Sequence, residues 1–148
     1  MSETLLVDKK TADKTPLYTT NFGSSYRPNV SYHYNPQTAE YHYGVKHPMK
    51  PFRLMLTNHL VIGYKLYEQM DLYTPRAATS KELSEFHSED YIDFLEKVTP
   101  DSVSRYTNQI KQFNIGDDCP VFDGLYDYCS LYTGASLDAS EKLLTGAS

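Results

Sequence analysis

The chain has 148 residues, 40% of them apolar and 22% charged, with a formal net charge of −5, 14 Tyr, no Trp and two Cys. That length suits one domain or part of a larger one, and lets a folded chain bury roughly 70% of its unfolded surface. The acidic balance argues against a basic nucleic-acid-binding face, Cys119 and Cys129 form neither a zinc spacing nor a disulfide framework, and no apolar run reaches membrane-spanning length.

Residues 1–28 read as a disordered polar tail, rich in Lys, Asp, Thr and Ser and broken by Pro16 and Pro28. Its start, Met1-Ser2-Glu3-Thr4, lacks the charged segment and apolar run of a signal peptide, and unpaired thiols suit a reducing compartment, cytosol or nucleus. The folded domain is expected over 29–148. Residues 30–34 (Val-Ser-Tyr-His-Tyr) alternate and are rich in β-formers, which predicts a short strand stopped by Asn35-Pro36. A second aromatic stretch, Tyr41-His42-Tyr43, ends at Gly44.

Pro51 stands where a helix accepts a first-turn proline. From it Phe52, Met55, Leu56, Leu60, Tyr64 and Tyr67 recur at three- and four-residue steps, predicting a helix through about Met70. Leu72-Tyr73 suits a short strand before Pro75. Thr79-Ser80-Lys81-Glu82 has capping-box spacing and should open another helix. Ser88-Glu89-Asp90 puts a cap and two acids ahead of a third, which carries Tyr91, Phe94, Leu95 and Val98. Residues 103–113 form a weaker helical pattern ending near Asn114, and 114–120 compose a loop. Helical spacing returns over 125–144, weakened by Gly134. Few strands and many helices leave helix faces with no sheet to cover, so a partial domain is expected.

Charge is unevenly placed. Residues 41–67 carry four Lys or Arg and no acid, whereas 68–148 carry six against fifteen acids. Lys46, Lys50 and Arg53, with His42 and His47, share a segment punctuated by Gly and Pro. Such a cluster can hold an anion or a positioned polar group; it can equally pair with the acidic half or stay solvated. Arg53 falls in the first turn of the expected helix, where the dipole disfavours a cation, so a specific partner or role is expected. His87 beside Glu89 and Asp90 suits catalysis or a metal, but such residues more often cap a helix. Asp117-Asp118 on a Gly-started loop can bind a metal or a substrate amide, or be exposed without a role. No phosphate loop or dinucleotide fingerprint occurs, and three metal ligands on rigid elements cannot be assembled.

Four segments in order resemble the class I histone deacetylases: His-Tyr-Gly-Val-Lys-His-Pro-Met-Lys-Pro-Phe-Arg (42–53), Phe-His-Ser-Glu-Asp-Tyr-Ile (86–92), Phe-Asn-Ile-Gly-Asp-Asp-Cys-Pro-Val-Phe (113–122) and Leu-Tyr-Thr-Gly-Ala-Ser-Leu (131–137). The likeness runs from about Val30 to Leu144 and is most similar to a fungal member of the corepressor-associated branch. It implies an α/β, arginase/deacetylase-like fold, a parallel sheet of about eight strands covered by helices on both faces. Residues 29–148 would then be a helix-rich N-terminal part of that domain.

The resemblance also implies hydrolysis of acetyl-lysine on histone tails, with a zinc ion polarising the amide and a pair of histidines handling protons. It implies a nuclear chromatin regulator in a repressive corepressor complex, without direct DNA or membrane contact. The histidine pair, the zinc ligands and the transition-state tyrosine of that family fall beyond the position matching Ser148, so the chain alone is expected to be inactive. Within it, Asp118 matches the rim aspartate that binds substrate backbone amides. Arg53 matches the arginine of an internal channel for acetate, Tyr43 and Met49 match residues lining that channel, and Tyr128 an aromatic near its foot. His42 and Lys50 match positions that bind an inositol phosphate between deacetylase and corepressor, and Lys46 replaces a Gly of that site. A rival reading is a non-catalytic module that binds inositol phosphate or a partner through His42, Lys46 and Lys50.

Overall fold

The structure is a computed structural model that describes residues 29–148; the expected tail over 1–28 lies outside the described residues. The alternating stretch forms β1 (Ser31–His33), and the segment before Pro75 forms β2 (Asp71–Tyr73). They pair in parallel, with Ser31 on Asp71 and His33 on Tyr73. Asn35 ends β1 as its sequence suggests. Its side-chain oxygen accepts the Gln37 N–H at 3.0 Å and starts a 3₁₀ turn, Pro36–Ala39. Parallel neighbours need a crossover, which α1 (Phe52–Gly63) supplies.

α1 is shorter than its periodicity predicts. It starts after Pro51 but ends at Gly63, not Met70. Lys65 turns left-handed at φ 57°, and Leu66–Gln69 continues as a 3₁₀ turn. Gly63 is a poor helix former, and the left-handed residue breaks the hydrogen-bond ladder. A 3₁₀ turn still repeats every three residues, so Tyr67 keeps the apolar rhythm across the break.

The rest follows its signals closely. α2 (Ser80–Ser84) opens on a complete Thr79/Glu82 capping box. α3 (Glu89–Lys97) starts after Ser88, whose side chain makes no capping bond to the backbone; the Ser88 hydroxyl instead helps hold the Asp90 carboxyl below its usual range. A 3₁₀ turn, Val103–Arg105, precedes α4 (Thr107–Gln112). α5 spans Leu125–Leu144, as the spacing predicts. Gly134 is a requirement of this helix, not a weakness: a Cβ there would lie 1.9 Å from the Arg76 carbonyl oxygen. The extended strand of chain before α2 crosses α5 at that notch, where the Ala78 N–H donates to the Ser130 carbonyl at 2.8 Å.

The core belongs to the helical half. Ala78, Leu83 and Ile92 form one buried cluster, and Phe94, Leu95 and Val98 the adjoining one. α1 buries no residue completely, and Phe52, Leu56 and Leu60 on it are about half exposed or more. The apolar face expected of a partial domain is therefore present. No helix among the described residues is long and apolar enough to cross a membrane.

A polar clasp secures the crossing at the notch. The Arg76 guanidinium donates to both Glu82 carboxylate oxygens, at 2.8 and 2.5 Å, and reaches Asp138 of α5 at 3.6 Å. The Arg76 fork, then the Thr79 backbone and hydroxyl, hold the Glu82 carboxyl down to about 2. Because folding lowers this value, the clasp contributes fully above the ordinary value of 4.5 and is lost as pH falls towards 2. The melting temperature of the wild-type chain should fall more steeply across that window than that of Glu82→Gln, by circular dichroism; parallel curves would remove the clasp from the acid response. Gly134→Ala should cost about 1–3 kcal/mol in urea unfolding, because backbone and not a flexible side chain must give way.

Candidate functional site

The basic segment is a tight, internally bonded bend. Gly44 takes φ 117°, a conformation that only glycine adopts readily. The His42 Nδ1 accepts the Gly44 N–H at 2.9 Å. The Lys50 ammonium donates to the Gly44 and Val45 carbonyls, each at 2.8 Å. Pro51 is fully buried at the end of the bend, so Arg53 emerges in the first turn of α1, as its position after Pro51 predicts.

The Asp117-Asp118 loop meets this bend. Asn114, left-handed at φ 53°, turns the chain out of α4, and Gly116 and Cys119 close the loop with reciprocal backbone bonds of 3.2 and 3.1 Å. Across it the His47 Nε2 lies 3.2 Å from the Asp118 carbonyl oxygen. The His47 Nδ1 accepts the Met49 N–H at 3.1 Å. Asp118 itself is exposed.

Beneath the bend lies an aromatic floor. Phe122 and Tyr128 are buried. The Tyr43 ring packs on Phe122 at 4.7 Å between centroids, on His47 at 5.0 Å and edge-on to Tyr128 at 5.9 Å. Tyr41 adds a contact to Tyr128 at 5.1 Å. The Tyr41 ring leaves room for no side chain at Gly124, whose Cβ would stand 2.7 Å from it. Burial, reinforced by Tyr128, raises the Tyr43 phenol well above its ordinary range. Burial also raises Tyr128, while Tyr43 and the Arg53 guanidinium act in the opposite direction. Arg53 is exposed in the first turn of α1 and its charge reaches the Tyr128 phenol. Burial raises the Cys129 thiol as well, which leaves it a poor nucleophile.

The structure therefore brings Tyr43 and Tyr128 together, with the Asp118 backbone tied to His47 beside Tyr43; Met49 is half-buried and Arg53 exposed. His42, Lys46 and Lys50 share the bend, and Lys46 is exposed with no hydrogen bond or ion pair among the described residues. The three ion pairs of the described residues join Arg76 to Glu82, Arg76 to Asp138, and Lys97 to Asp93. None uses a cation of the bend, so pairing with the acidic half does not account for the cluster. His87 lies edge-on to Phe86 and Tyr91 at 4.9 and 5.5 Å. No three His, Cys, Asp or Glu side chains among the described residues could hold a metal ion. Phe122, Tyr41 and the task of His47 have no signal in the sequence, because an aromatic in a loop carries no periodicity.

The family described as Histone deacetylase domain matches residues 47–148. Histone deacetylase B of Dictyostelium discoideum is 48% identical over 126 residues, 85% of this chain and 30% of that protein. Histone deacetylase 1 of Homo sapiens is 45% identical over 117 residues, 79% of this chain and 24% of its own length. Histone deacetylase HDAC1 of Drosophila melanogaster is 46% identical over 119 residues, 80% of this chain and 23% of its own. The chain thus spans less than a third of the length of these relatives.

Phe122→Ala should cost about 3–5 kcal/mol in urea unfolding, because it opens a cavity under three rings. Lys46→Ala should stay within about 0.5 kcal/mol of wild type, since Lys46 is exposed and makes no hydrogen bond or ion pair among the described residues.

Proposed function

The chain belongs to the histone deacetylase family, and from that premise we propose that it forms part of the chamber wall of a zinc-dependent hydrolase acting on acetyl-lysine of histone tails. The observation that carries this reading is the packing of Tyr43 and Tyr128 on one aromatic floor, with the Arg53 charge felt at Tyr128 and the Asp118 backbone tied to its edge. An acetate ion leaving along that floor meets a permanent cation and two phenols that remain hydrogen-bond donors. Met49 supplies an apolar side to the same passage. At the edge, the exposed Asp118 carboxylate can accept the backbone amide hydrogens of an extended peptide.

The described residues do not fit a zinc site. In this reading the metal, its ligands and the proton-handling histidines are supplied by sequence outside these 148 residues, and this chain's own part is binding and channelling. The β1–β2 pair then belongs to a parallel sheet of about eight strands covered by helices. The exposed apolar side of α1 packs within that larger layer. The setting that goes with the family is the nucleus, in a repressive corepressor complex that regulates transcription.

His42, Lys46 and Lys50 form an outward anion site on the same bend, suited to an inositol phosphate shared with a corepressor subunit. Lys50 spends two of its donors on loop carbonyls and keeps one. Lys46 adds an ammonium with no ion pair among the described residues. A second reading, an anion-binding module without catalysis, is favoured by the absence of any described ion pair to these cations.

The 148-residue chain, supplied with zinc, should release no acetate from an acetyl-lysine peptide, whereas a deacetylase carrying this segment should do so and lose turnover on Arg53→Ala. Inositol hexakisphosphate should bind more weakly to Lys46→Ala than to wild type, with affinity falling as salt rises. Equal, salt-insensitive binding by both would sink the anion site.

A further inference from the structure

We propose that His47 is a positioning residue for Asp118, fixing where the rim carboxylate stands by holding the backbone of its loop. The inference rests on the reading of Asp118 as a substrate-contacting residue. It begins with the tautomer. The His47 Nδ1 accepts the Met49 N–H at 3.1 Å, so that nitrogen is bare and the hydrogen of a neutral ring sits on Nε2. The Nε2–H then donates to the Asp118 carbonyl at 3.2 Å. The bend thus selects the tautomer that the loop needs. Tyr43, packed on the imidazole at 5.0 Å, limits its rotation.

Ile115 and Val121 anchor the two ends of the loop in the core, but no other long-range hydrogen bond among the described residues reaches the Asp118 backbone. His47 and Asp118, 71 positions apart in sequence, are bridged at this point by this one hydrogen bond. The remaining backbone bonds of the loop are local: the reciprocal pair of Gly116 and Cys119, and the Ile115 N–H to the Ile110 carbonyl. A carboxylate meant to receive peptide amides must be placed to within a fraction of an ångström. Imidazole suits the task because it is rigid and carries an acceptor and a donor on opposite sides. Asparagine offers the acceptor for the Met49 N–H without the reach to Asp118. Glutamine offers reach without a rigid ring.

The test uses a deacetylase that carries this segment. His47→Asn should raise KM for an acetylated peptide by about 10- to 100-fold, the cost of misplacing a binding group by an ångström. It should leave kcat/KM for an acetyl-lysine substrate without flanking amides within about twofold, since that substrate does not use Asp118. In an Asp118→Ala background, His47→Asn should be silent. Labelling with 15N-histidine should show the hydrogen of His47 on Nε2 in the wild type, a readout independent of activity. Equal losses with both substrates, additive losses in the double variant, or a hydrogen on Nδ1 would overturn the proposal. An unaltered peptide KM in Asp118→Ala would overturn it through its premise. A wild type that hydrolyses no acetyl-lysine substrate refutes the functional reading instead, and the labelling result then decides the His47 contact by itself.

Discussion

Phe122 and Tyr128 lie buried under the rings of Tyr41 and Tyr43, with centroids 4.7 to 6.4 Å apart. This stack fastens the cationic bend to the helical half of the molecule. Tilted and edge-on rings at such distances combine large apolar burial with favourable quadrupole geometry. Everything the site offers follows from it. Tyr43 meets Tyr128 while packed on Phe122, and the Tyr41 ring fits where it does because residue 124 is glycine.

The bend carries two chemistries on a dozen residues. Its aromatic member, Tyr43, packs on the floor, and His42, Lys46 and Lys50 provide cationic and donor groups. Lys50 joins the two roles, because the ammonium that could meet an anion also braces the carbonyls of Gly44 and Val45. An anion bound at Lys50 would therefore act on the shape of the bend as well as on its charge, and through His47 on the loop of Asp118.

Much of the architecture was legible in local signals. The Thr79–Glu82 capping box, the Ser88 helix start, the 125–144 helix and both strands stand where their residue patterns put them. The misses share a cause. Periodicity ran on through Tyr67 because a 3₁₀ turn repeats nearly as a helix does. Gly134 read as a weak point because its reason is the backbone of Arg76, distant in sequence. For the site, residue types identified the bend and the Asp118 loop, and the family resemblance gave them roles. The floor of Phe122 and the His47 link depend on contacts between segments about 70 residues apart, which no local pattern encodes.

The uneven burial implies an order of assembly during synthesis. The contacts among Ala78, Leu83, Ile92, Phe94, Leu95 and Val98 are close along the chain and bury well, so they close cheaply and early. The parallel pairing of β1 with β2 must close a loop of about forty residues for only three paired positions. It forms late and holds weakly. Through that interval the exposed leucines of α1 remain adhesive, which makes β1 and α1 the natural clients of chaperones.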